Sequence, residues 1–597
     1  MTIIIPRLLL LLAIFASQTE ARASQGLQVQ LPHGGWLLGR HRTTHSGRHM
    51  RAFMGIPYAL PPLGELRFRP PIPQPGWEGE RLALKDAPIC MQRDPFRRDM
   101  LIEGSEDCLY LNVYTPDPVE IAGDKLLPVM VWFHGGGWQC GSGISSFYGP
   151  DFLLDHNIVL VSANFRLGPL GFLSTETLDC PGNNGLKDQL QVLRWIRENV
   201  AAFGGDPQQV TVFGESAGGA SVTYHMLSPQ SRGLLHRGIA QSGTYYNPWA
   251  QPAHKGVAAK RAAKLTQLVD CDAAGEDWAA KLKCLRGKPA EQIVATLYDM
   301  FLWDFDPMIP FPPVIEPQHD GAFLTELPRE TSAPPHGQQL PLMLGVTSEE
   351  GLLKTAALLN MPQLLSEFKT RFEQLLPVVL NYDHHANETQ QQITQHIETF
   401  YFKAGHNYNK SNHQNLTDLI SDGWFVAGVD EYLQMRLQDK QQSVAPTYVY
   451  LFDHKGAASF SELFKGGHNE FYGACHAEEL QYLFPIGQEL FVSAVPTRQD
   501  LQLRELMLRL WVNFASSGDP NPVIGTSNLP SWLPASSYPV TYARLGTKLD
   551  LDADNDELVP PLLRMEAALL QQRVDFWRQL KAHLPAHRRS SHQHNEL

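Results

Sequence analysis

Residues 208–222 read QQVTVFGESAGGASV, and no other stretch restricts the fold of this 597-residue chain as strongly. A β-rich run, Val210 to Phe213, meets Gly214-Glu215-Ser216-Ala217-Gly218, and a small-residue helix start follows. This is Gly-x-Ser-x-Gly in the order strand, sharp turn, helix. A β-carbon at either glycine would collide with the neighbouring helix or strand, and the turn forces strained angles on the serine. Ser216 would stand at a helix N-terminus, where partial positive charge favours a developing anion. It is the candidate nucleophile.

Strand-like and helix-like segments alternate around it. LYLNVY (109–114), LPVMVWF (127–133), IVLVSANF (158–165), VTVFG (210–214), PLMLGV (341–346) and TYVYLFD (447–453) are short, apolar and β-rich. Leu186, Leu190, Leu193, Ile196 and Val200 recur at helical spacing over 185–203, and Phe203-Gly204-Gly205-Asp206-Pro207 supplies the stop. The pattern predicts an α/β fold, a large and mainly parallel sheet with helices on both faces. In such sheets sites form at the C-terminal strand ends, and Ser216 lies at one. Length alone would suggest about four domains. No linker divides the chain, however, so residues 24–582 are expected to form a single catalytic domain. Pro-rich stretches (57–75, 307–317 and 333–335) read as ordered loops over the functional edge. The formal net charge of −13 argues against nucleic-acid binding, which needs a basic face.

The two ends carry address signals. Arg7 precedes the apolar run Leu8–Phe15, too short to span a bilayer, and Ala21-Arg22-Ala23 offers a small-x-small cleavage site. Residues 1–23 therefore read as a signal peptide, and no later segment has the apolar length of a membrane span. The polar tail 583–597 ends His594-Asn595-Glu596-Leu597, which differs at one position from the ending read by the endoplasmic-reticulum retrieval receptor. Lumenal retention is the expectation and secretion the alternative. Entry into this pathway permits disulfides. Of seven cysteines, the short spacings suggest Cys90–Cys108 and Cys271–Cys284, leaving Cys140, Cys180 and Cys475. Asn387, Asn409 and Asn415 head glycosylation sequons in a polar stretch, marking it as surface.

A serine hydroxyl needs a base, an acid that orients the base, and donors for the oxyanion. After the strand LPVMVWF comes His134-Gly135-Gly136-Gly137-Trp138, whose glycines let bare backbone approach a substrate carbonyl. Gly136, Gly137 and Ala217 are the candidate oxyanion donors, and His134 a shaper of that loop.

These motifs resemble those of type-B carboxylesterases, the cholinesterase-like family of the α/β-hydrolase fold. The resemblance extends over Gly55-Ile56-Pro57-Tyr58-Ala59, Leu66-Arg67-Phe68, Glu106-Asp107-Cys108-Leu109-Tyr110-Leu111-Asn112 and Asn164-Phe165-Arg166-Leu167-Gly168. It continues through Gly182-Asn183, Gly185-Leu186-Lys187-Asp188-Gln189 and the serine turn to Gly518-Asp519-Pro520-Asn521-Pro522 and Trp532. It implies a serine ester hydrolase, working through an acyl-enzyme without cofactor or metal on a small-molecule ester. It also implies the acid Glu350, from Gly345-Val346-Thr347-Ser348-Glu349-Glu350-Gly351, a choice that composition alone leaves open between Glu349 and Glu350. The base it implies is His476, in Gly473-Ala474-Cys475-His476-Ala477-Glu478-Glu479-Leu480-Gln481-Tyr482-Leu483-Phe484. Among 23 histidines His468 is the main competitor, read as loop surface. The resemblance further implies ion pairs Arg67–Glu106 and Arg166–Asp188, and a serine, Ser242, near the triad histidine. Cys475 adjoins His476 but is set aside as a nucleophile, since sequence neighbours point different ways.

The substrate is less constrained. Trp138, Trp249, Phe301, Trp303, Phe305 and Phe311 suggest apolar walls. Cholinesterases seat a quaternary ammonium over a tryptophan in their first disulfide loop. Residues 90–108 hold no tryptophan and three arginines instead, which argues against choline esters and for neutral or lipophilic ones. Esterase and lipase are not separated. The alternative from another class is a catalytically inactive, neuroligin-like adhesion protein, but such relatives lose triad residues and carry a membrane span.

Overall fold

The structure is a computed structural model that describes residues 27–583, apart from 100, 119–124, 274, 276, 330–335, 404, 407, 439–444, 468–469, 522–529 and 549–560. The amino-terminal leader, the carboxy-terminal tail and His468 lie outside the described residues.

Fourteen strands are described: β1 (Gln28–Gln30), β2 (Trp36–Leu38), β3 (Arg40–Thr43), β4 (His49–Pro57), β5 (Glu80–Leu82), β6 (Tyr110–Pro116) and β7 (Leu127–Phe133). They continue with β8 (Val159–Ala163), β9 (Gly205–Glu215), β10 (Arg237–Gln241), β11 (Leu342–Thr347), β12 (Thr447–Phe452), β13 (Thr541–Leu545) and β14 (Leu563–Ala567). Eleven of them form one sheet in the order β14-β13-β12-β11-β10-β9-β7-β8-β6-β4-β3, and β1, β2 and β5 form a small separate one. From β8 through β7, β9, β10, β11 and β12 to β13 every pairing is parallel. Antiparallel strands flank both ends. The chain has the α/β-hydrolase fold.

The central strands read as continuous apolar runs because both faces are covered. On β7, Val129, Val131 and Phe133 enter one apolar layer while Met130 and Trp132 enter the other. Five helices matter for the site: α1 (Asn184–Asn199), α2 (Ala217–Leu227), α3 (Val257–Leu268), α4 (Leu352–Asn360) and α5 (Gln571–His583). The periodic segment 185–203 is α1 followed by a 3-10 turn at Val200–Phe203. Both suggested disulfides are present, Cys90–Cys108 and Cys271–Cys284, and Cys140, Cys180 and Cys475 are buried free thiols. Asn387, Asn409 and Asn415 are exposed. Among the described residues, no helix is long and apolar enough to cross a membrane.

Candidate active site

Ser216 sits between the end of β9 and the start of α2 with φ 57° and ψ −122°, a strained conformation for a residue with a side chain. Its glycine neighbours are there for contact. A β-carbon on Gly218 would lie 2.0 Å from the Phe133 carbonyl oxygen, and one on Gly214 would lie 2.5 Å from that same atom. The turn is thus wedged between the tip of β7 and its own helix, as the motif requires.

The glycine loop follows β7 directly. Gly136 and Gly137 have φ of 94° and 62°, left-handed backbone that leaves their N–H groups free of any acceptor among the described residues. Ala217 opens α2, so its N–H is one of the helix's unpaired donors. His134 holds the loop from behind: its ring stacks on Phe165 at 4.3 Å and its Nδ1 lies 2.8 Å from the Gly135 carbonyl oxygen. Burial pushes its pKa down to about 4, so it is neutral at pH 7 and a shaper of the loop. Trp138 is core and not a pocket wall, since its fully buried indole donates to Ser221 Oγ at 3.0 Å.

Glu350 and His476 meet. His476 Nδ1 is 2.6 Å from Glu350 Oε2, and the other oxygen, Oε1, accepts the Thr347 N–H at 2.8 Å and the Ser242 hydroxyl at 2.5 Å. Glu349 faces elsewhere, receiving Lys548 Nζ at 2.7 Å and the Ala474 N–H at 3.1 Å. Of the two adjacent glutamates, Glu350 is the one in contact with His476. Cys475, bridged to Glu349 through the backbone, is buried behind the histidine, and its thiol is held protonated by burial.

Two participants had no sequence signal beyond a charge or a ring in an apolar setting. The first is Glu215, the variable residue of the serine motif. Its Oε1 lies 2.9 Å from His476 Nε2, close enough for strong attraction though without an aligned hydrogen bond. Burial alone would lower the imidazole pKa. Glu215 and Glu350 outweigh it and raise the value well above 6.5. The second is Phe425, whose ring lies 4.4 Å from the His476 ring. It belongs to a π-helical turn, Asp422–Val426, a rarity that recurs at functional sites. The turn is fastened on several sides. Asn247 Nδ2 donates to the Trp424 and Phe425 carbonyls, each at 2.8 Å. Arg573 on α5 grips Asp422 through Nε at 2.7 Å and Nη2 at 2.5 Å.

Nearby, Glu479 is buried with Gln241 and Tyr450 donating to its Oε1, while Oε2 has no partner among the described residues. Burial raises its pKa to about 8, with repulsion from Glu215 and Glu350 adding to it, so it is largely protonated at pH 7.

The ion pairs pin loops to the sheet. Arg67 binds Glu106 through Nε at 2.6 Å and Nη2 at 2.5 Å, and Arg166 binds Asp188 through Nε at 2.8 Å and Nη2 at 2.7 Å. The three arginines of loop 90–108 are engaged internally. Arg93 lies over Tyr298, Arg97 pairs with Asp99 and Glu103, and Arg98 pairs with Asp304. Asp304 also binds the buried Lys354 of α4, which takes Asp306 as well and lies against the rings of Trp303 and Phe305. Trp303 and Phe305 thus wall a self-neutralised ion cluster.

The chain is similar over most of its length to known esterases. The chain is 36% identical over 490 residues to venom carboxylesterase-6 of Apis mellifera, covering 81% of this chain and 85% of that protein. It is 34% identical over 497 residues to juvenile hormone esterase of Tribolium castaneum, covering 82% and 83%. It superposes with a TM-score of 0.78 on the crystal structure of juvenile hormone esterase from Manduca sexta with OTFP covalently attached, at 26% identity, covering 93% of this chain and 99% of that one. The Carboxylesterase family profile matches residues 25–577. A serine turn, a bare-amide loop and an imidazole held by a buried carboxylate are therefore set in a chain that belongs to the carboxylesterase family, and the protein is a carboxylic ester hydrolase.

Proposed function

We propose that the protein hydrolyses neutral or lipophilic carboxylic esters through an acyl-enzyme on Ser216. The observation that carries this reading is the 2.6 Å contact between His476 Nδ1 and Glu350 Oε2 beside the strained serine turn. Ser216 Oγ attacks the ester carbonyl carbon and its proton passes to His476 Nε2. The oxyanion accepts the N–H groups of Gly136, Gly137 and Ala217. Collapse breaks the carbon–alkoxide bond, and the imidazolium returns the proton to the leaving alcohol. Water then repeats the sequence and releases the carboxylic acid. Glu350 keeps the proton on Nδ1 and stabilises the imidazolium. In loop 90–108 Arg97 and Arg98 are paired with carboxylates and Arg93 is buried over Tyr298, which supports an uncharged ester. Residues 24–582 act as the one catalytic domain, in keeping with the extent of the family match.

Ser216→Ala should abolish hydrolysis of short-chain p-nitrophenyl esters, and an organophosphate should label Ser216. A label on another residue would move the nucleophile.

We further propose that the leader directs the chain into the secretory pathway and that the HNEL ending returns it to the endoplasmic-reticulum lumen through the retrieval receptor. Exposed Asn387, Asn409 and Asn415 are then open to glycosylation. Asn409 Oδ1 already accepts the Ser411 N–H and hydroxyl within its sequon. Deleting residues 594–597 should increase secretion, and equal retention would reject the retrieval signal.

A further inference from the structure

His476 is carried on segment 470–477, which is neither helix nor strand. Segments of that kind move more than the elements they join, yet a proton-relaying base needs placement to about half an ångström. Glu350 meets the imidazole ring at Nδ1. Its neighbour Glu349 meets the backbone that bears the ring. The Glu349 N–H donates to the Ala474 carbonyl at 3.0 Å, and Glu349 Oε2 accepts the Ala474 N–H at 3.1 Å. A single residue thus takes both backbone polar groups of Ala474, two positions before the base. Glu349 and Cys475 pair there as an isolated parallel bridge.

Both sides of this contact are shaped for it. Gly473 has φ 130°, and a β-carbon on it would lie 2.3 Å from Glu349 Cδ, so the carboxyl group rests on bare backbone. The Ser348 hydroxyl donates to the same Oε2, and the Ser348 N–H donates to the Phe452 carbonyl at the end of β12 at 2.9 Å. The other oxygen, Oε1, accepts Lys548 Nζ at 2.7 Å. Glu349 is only 4% exposed, so its charge is costly without a partner. Among the described residues Lys548 is the one cation within 4.0 Å of it. Burial raises the Glu349 pKa and the lysine works against that rise. Lys548 follows β13, is exposed to solvent, and lies 3.1 Å from Asp453 Oδ1 as well. Asp453 has Arg544 as a second partner, which leaves the lysine to Glu349.

We propose that Glu349 is the positioning residue of the catalytic histidine, with Lys548 as its counter-ion. Two adjacent carboxylates on one loop then divide the work: Glu350 orients the ring, and Glu349 anchors the backbone beneath it. The proposal rests on the reading of Ser216, Glu350 and His476 as the triad. Glu349 touches no reacting atom and acts only through where it places His476. Without the anchor the imidazole drifts from both Glu350 and Ser216. Such a displacement costs kcat and spares KM, because the glycine loop and the walls that hold the ester are untouched.

The test compares Glu349→Leu and Glu349→Gln in the full-length protein, by p-nitrophenyl ester kinetics and by the low-field NMR signal of the proton between His476 Nδ1 and Glu350. Leucine removes the acceptor. It should lower kcat about tenfold to a hundredfold, the scale of one charged hydrogen bond, with KM within about threefold and the low-field signal lost. Glutamine keeps an oxygen for the Ala474 N–H and should recover most of kcat and the signal. Lys548 supplies a second arm that a folding failure of Glu349→Leu leaves intact: Lys548→Met should lower kcat, and Lys548→Arg should restore it. The proposal is overturned if folded Glu349→Leu keeps kcat or the low-field signal, even with a reduced Tm. It is also overturned if Glu349→Gln loses as much as Glu349→Leu, or if Lys548→Met is as active as wild type. If Ser216→Ala still hydrolyses the ester, the nucleophile reading fails, and the low-field signal, which needs no turnover, still judges the anchor.

Discussion

Glu215→Gln isolates the least expected contact in the site. The carboxylate sits 2.9 Å from His476 Nε2, the nitrogen proposed to accept the serine proton. At an effective dielectric of about 20, two unit charges at that separation attract by ~6 kcal/mol, or ~4 pK units at 1.36 kcal/mol each. That is a ceiling, because Glu350 stays and water relaxes around the amide. A fall of about 2 units in the His476 pKa is the working expectation. The sign follows directly. Glu215 favours the imidazolium, so removing its charge makes neutral base available at lower pH. The acidic limb of the kcat/KM profile, which reports the free enzyme, should move to lower pH by that amount. The assay is a pH series of p-nitrophenyl ester hydrolysis on wild type and Glu215→Gln, with the imidazole ring signals followed by NMR. An unmoved limb together with an unmoved imidazole titration would refute the argument that Glu215 sets the base.

Glu479 is protonated up to about pH 8, so its neutral form is the one the fold accommodates. A raised carboxyl pKa contributes stability that is lost as pH rises from the unfolded value of about 4.3 through the folded one. Glu479→Gln should thus change Tm least near pH 4, raise it relative to wild type by pH 6 and raise it further at pH 9, by scanning calorimetry. Replacing Cys90 and Cys108 by serine opens a loop with sequence separation 18. That should cost ~3 kcal/mol in denaturant unfolding by the chain-entropy argument. Gly218→Ala would place a methyl 2.0 Å from the Phe133 carbonyl oxygen, so activity should fall at least tenfold while far-UV circular dichroism is retained.

Much of the centre of this fold is legible in the sequence because its strands are buried on both faces and read as unbroken apolar runs. β7, β8, β11 and β12 appear that way. Others do not. β10 is only RGIAQ, and a β-carbon on its glycine would sit 2.8 Å from Met226 Sδ, so the strand carries little apolar signal. β4 alternates charge with apolar residues on an antiparallel flank and breaks register between Phe53 and Ile56. In the site, the serine turn and glycine loop are local devices and show in a short window. The acid is not local. Glu349 and Glu350 differ only in which groups, distant in sequence, approach them: Lys548 for one, Ser242 and His476 for the other. His476 stood out through family resemblance alone. Phe425 was silent, because a phenylalanine in a helix looks like core whatever it touches.

The grip of α5 on the π-turn bears on which lengths of this chain can work. Arg573 fastens the segment that seats Phe425 against the His476 ring, and Arg578 fastens Asp430 just beyond it. Ser216, Glu350 and His476 all precede α5 in the sequence. An esterase cut short before Gln571 therefore keeps those three residues and loses the clasp on the turn that packs against its imidazole.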